Sequence, residues 1–106
     1  MRKKVWIPAI GALAWAGWDA EKIFWELAVE DIRGACELFK PLYGESGGRD
    51  GFVSLEEDPR IAHNTEAALA QAQQLWARVA RPNLMVKIPA TRAGIPAIRR
   101  SSRAAR

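Results

Sequence analysis

One amphipathic helix set between two short apolar strands limits what this chain can fold into more than any other feature. Residues 52–56, FVSLE, alternate in polarity as a strand does, and the Asp58-Pro59 turn closes them. Asn64 or Thr65 can cap the next helix, whose core face is Ala68, Ala72, Leu75, Trp76 and Val79. Arg81-Pro82-Asn83 ends that helix, and residues 84–88, LMVKI, make a second strand with Pro89 at its exit. Two strands joined by a crossover helix form a βαβ unit, which implies parallel pairing and a right-handed crossover. The expected fold class is α/β. An earlier helix is expected from an Asp19 N-cap through Ile23, Leu27, Ala28, Ile32, Ala35, Cys36 and Phe39, at three- and four-residue steps. Pro41 should limit it by disfavouring helical geometry at Lys40, and a break near residues 29–31 is the alternative. Residues 44–51 hold four glycines but lack the order of a phosphate loop and precede a strand, so they read as a turn.

Composition decides what supports this unit. A chain of 106 residues holds one small domain or a piece of a larger one, and a single cysteine excludes an intrachain disulfide or a Cys-based zinc site. The net charge of +4 is misleading, because three bases crowd residues 1–4 and five crowd residues 92–106, leaving the stretch between them acidic. No basic face for nucleic acid is expected. Residues 5–18, VWIPAIGALAWAGW, carry no charge but are too short to span a bilayer, which needs about 20 residues. Behind MRKK they have the form of a secretory signal, with Ala12-Leu13-Ala14 or Ala14-Trp15-Ala16 as a cleavage site. Pro8, Gly11 and three tryptophans make a poor apolar helix, so the other reading is a segment outside the fold or an irregular packing strand. Gly94-Ile95-Pro96 looks like the start of a helix that never develops, and residues 99–106, RRSSRAAR, read as a frayed, solvated tail.

Strand alternation then places the chemistry. Val53 and Leu55 share one face of the first strand, and Phe52, Ser54 and Glu56 the other; Leu84, Val86 and Ile88 oppose Met85 and Lys87. If the aliphatic faces pack on helices, Glu56 and Lys87 both point away from them, near the C-terminal strand ends where parallel α/β folds place their sites. A lysine in a place of low polarity can be a Schiff-base nucleophile, and a nearby carboxylate can move protons while the carbinolamine loses water. The alternative is a lysine snorkelling to solvent and paired with a strand-end acid. His63 has no second ligand near it in sequence and reads as a surface or capping residue; no metal is expected. Cys36 reads as an inert buried thiol, and Trp25 and Trp76 as core or exterior aromatics.

Two stretches, GGRDGFVSLEEDPRIAHNTE and PNLMVKIPATRAG, resemble transaldolase, notably the bacterial subgroup found alone or fused to a glucose-phosphate isomerase domain. The resemblance runs over about residues 19–98. It implies a (β/α)8 TIM barrel, of which this chain holds a helix-strand-helix-strand piece with two parallel strands. By the same resemblance Lys87 is the lysine that forms an imine with a ketose phosphate, and Glu56 is the glutamate that shuttles protons through a water. The implied reaction moves a dihydroxyacetone unit from sedoheptulose 7-phosphate to glyceraldehyde 3-phosphate, in the cytoplasmic pentose phosphate pathway, with sugar phosphates as partners and no cofactor. Counterparts of the family's aspartate strand and TTNPS-like strand do not precede Asp19, and those of its phosphate-holding arginine and serine do not follow Ile98. A barrel typically takes about 250 residues. The expectation is thus a truncated or frameshifted transaldolase in three parts: a non-matching apolar segment 1–18, a partial barrel 19–98 and a basic disordered tail 99–106. With open sheet edges it should self-associate, and with no enclosed site it should be inactive alone. A non-catalytic fragment and a small exported protein are the other readings.

Overall fold

The computed structural model describes residues 3–104. They form α1 (Lys3–Trp15), α2 (Ala20–Glu45), β1 (Val53–Glu56), a short 3-10 segment (Pro59–Ile61), α3 (Thr65–Val79), β2 (Leu84–Lys87) and α4 (Gly94–Ala104). β1 and β2 pair in parallel, with Val53 beside Leu84, Ser54 beside Met85, Leu55 beside Val86 and Glu56 beside Lys87. Strand, helix and parallel strand follow in the expected order. Leu55 and Leu84 are buried on the helix side, while Met85 stands half exposed on the other.

Local chemistry sets the helix ends. Asp19 caps α2, its carboxylate accepting from the Lys22 N–H at 2.8 Å, and Asn64 caps α3 by accepting from Ala67 at 3.0 Å. Each supplies an acceptor to a first-turn N–H that has no partner within the helix. At the far end of α3, Ala80 turns left-handed (φ 52°), and its N–H returns to the Trp76 carbonyl. Val29, Cys36, Leu55, Leu75, Val79 and Leu84 form the main core between α2, α3 and the sheet, with Trp25, Ile32, Val53 and Val86 against it. Ala68, Leu69 and Ala97 form a second cluster where α4 meets α3.

Asn83 ties these layers together. Fully buried ahead of β2, its side-chain amide donates to the Cys36 carbonyl at 2.9 Å and to the Gly51 carbonyl at 3.0 Å. It thereby holds α2 and the start of β1 against β2. Gly51 must be glycine on two counts: its φ is +81°, and a Cβ there would lie 2.5 Å from the Tyr43 N. At Gly94 a Cβ would fall 1.9 Å from the Pro89 carbonyl oxygen. The Thr91 hydroxyl accepts from the Gly94 N–H at 2.9 Å and so opens α4.

Five expectations are corrected. α2 runs unbroken past Pro41 to Glu45, because Pro41 stands in the last turns, where only one amide bond and one carbonyl contact are at stake. Residues 3–15 are helical despite Pro8 and Gly11, with Trp15 95% exposed, where an irregular segment was expected. Gly94-Ile95-Pro96 does begin a helix: Pro96 falls in its first turn, where a missing N–H costs nothing, and Ala97 docks on α3. That helix takes in the arginine-rich segment expected to be frayed, as far as Ala104; Ala105 and Arg106 lie outside the described residues. Phe39 and Trp76, both expected on core faces, are about half exposed.

Candidate active site

The register that places Glu56 beside Lys87 brings the two sequence-derived candidates into contact. The Lys87 ammonium donates to Glu56 Oε1. Both stand on the sheet face away from α2 and α3, at the carboxyl ends of their strands, with side chains 58% and 71% exposed. The hydrogen bond from Lys87, and then its charge, hold the Glu56 carboxyl below the usual range. The Glu57 N–H donates to the Lys87 carbonyl at 3.2 Å, extending the ladder one residue beyond the pair. What the arrangement offers is an amine and a carboxylate in direct proton contact on a rigid strand edge.

A second group of charges lies beside them. Asp58 caps the 3-10 segment and holds Arg60 through both carboxylate oxygens, and Arg60 also reaches Glu21 of α2 at 2.9 Å. The Arg60 side-chain hydrogen bonds keep the Asp58 carboxyl low. The Asp58 N–H donates to Gln71 of α3 at 2.7 Å, fixing the segment to that helix. Between Glu56 and Asp58, Glu57 is 5% exposed, and neither carboxylate oxygen has a hydrogen-bond partner. Burial pushes its carboxyl up to about 7, with the Ala72 backbone opposing the rise. Sequence reasoning missed this residue because it ended the strand at Glu56. Continuing the alternation by one position would have put an acid on the face of Val53 and Leu55.

The remaining candidates fall where expected. Cys36 is fully buried, and burial raises its thiol, consistent with a packing role. His63 is exposed in the turn before α3. The glycine loop is a turn organised by Ser46, whose hydroxyl accepts from the N–H groups of Arg49 and Asp50. Among the described residues no three His, Cys, Asp or Glu side chains gather to hold a metal ion, and no helix is long and apolar enough to cross a membrane.

Comparison with known proteins agrees with this reading of the strands. The profile of the transaldolase/fructose-6-phosphate aldolase family matches residues 5–104. A transaldolase of Mycobacterium ulcerans is 47% identical over 89 residues, covering 84% of this chain and 24% of the relative. Transaldolase 1 of Streptomyces avermitilis is 56% identical over 72 residues, 68% of this chain and 19% of the relative. A Parafrankia transaldolase is 51% identical over 86 residues, 81% and 23%. The chain spans about a quarter of the length of the curated relatives it matches. Its two parallel strands with alternating helices are accordingly a partial (β/α)8 barrel, and the chain belongs to the transaldolase/fructose-6-phosphate aldolase family.

Proposed function

We propose that this chain carries the Schiff-base lysine and the proton-shuttling glutamate of a transaldolase, and that Lys87 and Glu56 are those residues. The observation that carries the reading is their contact across the parallel register at the strand ends. Once Lys87 gives up a proton, its lone pair attacks the ketose carbonyl carbon, and the oxygen takes a proton to form a carbinolamine. Glu56, as the acid, protonates the departing hydroxyl; water leaves and the iminium forms. A general base then takes the β-hydroxyl proton, the bond between the α and β carbons breaks with its electron pair passing to the iminium, an aldose phosphate leaves, and the three-carbon unit stays as an enamine on Lys87. The enamine carbon then attacks the acceptor aldehyde, and water hydrolyses the new imine with Glu56 as base. The iminium is the electron sink, so the step requires no cofactor. The donor and acceptor are sedoheptulose 7-phosphate and glyceraldehyde 3-phosphate, in the cytoplasmic pentose phosphate pathway.

The 106-residue chain by itself does not turn over. A half-exposed amine engaged by a carboxylate has no free lone pair, and no wall of the described residues excludes water from it. The test is a hybrid in which this chain replaces the matching segment of the Mycobacterium ulcerans transaldolase. The hybrid should transfer three-carbon units, and borohydride with ketose phosphate should fix a secondary amine at Lys87. Lys87→Arg should abolish both, and Glu56→Gln should lower kcat roughly 100- to 10,000-fold. An active Lys87→Arg hybrid, or transfer by the unassisted chain, would overturn the respective half of the proposal.

A further inference from the structure

We propose that Thr91 and Thr65 are positioning residues for the Lys87–Glu56 pair, binding the loop after β2 to the loop after β1 at the end of the sheet where the pair stands. The two strands part just beyond it, the bond from the Glu57 N–H to the Lys87 carbonyl being the last of the ladder. From there one chain runs through the 3-10 segment to α3, and the other through Pro89 to α4. Two hydroxyls span the gap in opposite directions. Thr91, after β2, donates to the Ala62 carbonyl after β1; Thr65, at the start of α3, donates to the Ala93 carbonyl before α4 at 2.6 Å.

Among the described residues these two bonds alone tie residues 88–93 to another part of the fold; their other hydrogen bonds stay within the turn into α4. The loop after β1 is anchored independently, through the Asp58 N–H to Gln71 of α3 and through Arg60 to Glu21 of α2. The threonines therefore fasten the chain leaving Lys87 to a frame already fixed on the Glu56 side. With the last ladder bond, the Thr91 bond closes a ring that contains Lys87 and begins one residue after Glu56. Strands of four residues hold little of that geometry by themselves. The Thr91 hydroxyl also serves twice, donating to Ala62 and accepting from the Gly94 N–H at 2.9 Å, which a side chain of the same shape without oxygen cannot do. A reacting group misplaced by about 1 Å can lose roughly 100-fold in rate. That catalytic consequence rests on the Schiff-base reading, whereas the contact between Lys87 and Glu56 that the threonines maintain does not.

The test compares Thr91→Val, which keeps the shape and loses the hydroxyl, with Thr91→Ser, which keeps the hydroxyl, and with Thr65→Val. In the whole chain the Glu56 carboxyl, held low by Lys87, is titrated by carbon-13 NMR. Either valine variant should move that titration up toward the ordinary carboxylate range, and Thr91→Ser should leave it low. Thr65→Val decides the matter if Thr91→Val fails to fold, since the Asn64 cap of α3 stays in place. In the hybrid enzyme, kcat is taken per site that borohydride traps at Lys87, so that a smaller folded fraction by itself changes nothing. The valine variants should lower this per-site rate roughly tenfold or more, and Thr91→Ser should restore it to within about twofold. A Glu56 titration that neither valine moves, a per-site rate unchanged in both, or a serine variant as impaired as the valine would each overturn the proposal. If Glu56 moves while the unsubstituted hybrid traps no substrate at Lys87, the threonine clamp stands and the Schiff-base reading falls.

Discussion

Glu57 is the residue at which this sequence departs most from a well-satisfied core. Its carboxyl titrates near 7 in the fold against 4.5 ordinarily. Between those values the folded chain keeps a proton that the unfolded chain has released, so the contribution of Glu57 to stability is full below pH 4.5 and is lost as the pH rises through 7. At about 1.4 kcal/mol per pH unit the loss is about 3 kcal/mol. Denaturant midpoints measured from pH 4.5 to 8 should fall accordingly. Glu57→Val should flatten that slope and raise stability at pH 8; a slope unchanged in the variant would assign it to other groups. Glu56 and Lys87 were legible in the sequence because a strand's period of two assigns faces without reference to anything distant. Glu57 was not, because its burial depends on Ala72 and Trp25, which arrive from other elements.

At the level of elements, Asn83 does what no strand or helix does alone. Two strands of four residues each make few ladder bonds, and their register needs a fixed point. The Asn83 side chain supplies one by bonding a helix carbonyl and a pre-strand carbonyl at once. Asn83→Ala leaves both carbonyls buried without that donor and should cost roughly 2 to 4 kcal/mol, read from chemical denaturation. A loss below 1 kcal/mol would show that solvent replaces the amide. In the sequence Asn83 looked like an ordinary turn residue after Pro82, since nothing local reveals that Cys36 and Gly51 are its partners. The caps Asp19 and Asn64 were legible for the opposite reason: each bonds an N–H three residues away. α1 and α4 were misread because their prolines and glycines argue against helix locally, while Pro96 in a first turn and Ala97 against α3 favour it.

The whole molecule is a slab, 40 × 37 × 18 Å, with a radius of gyration of 15.3 Å where a compact chain of this length has about 13 Å. Its accessible surface is 7,584 Å², against about 5,900 Å² for a folded monomer of this mass. The excess is twice the ~800 Å² that one partner buries in an ordinary complex. Met85 stands half exposed on the outer sheet face, where Phe52 is covered only by the edge of the Tyr43 ring, and among the described residues each strand has one unpaired edge. Sedimentation velocity at rising concentration should therefore show species heavier than the 11.8 kDa monomer, and Met85→Lys should shift the distribution back toward it. A single monomeric boundary up to millimolar concentration would contradict this.

The turn at Gly94 carries a lesson for heredity. With the Pro89 oxygen occupying the space of any side chain there, α4 can dock on α3 only while that codon spells glycine. Every single-nucleotide change that alters the amino acid at this codon forces the backbone between Pro89 and α4 to shift, whereas exposed neighbours such as Arg92 and Ile95 meet no such obstacle. In a lineage of such chains, position 94 would be among the last to vary, and its loss would mark the point at which selection for the folded unit had ended.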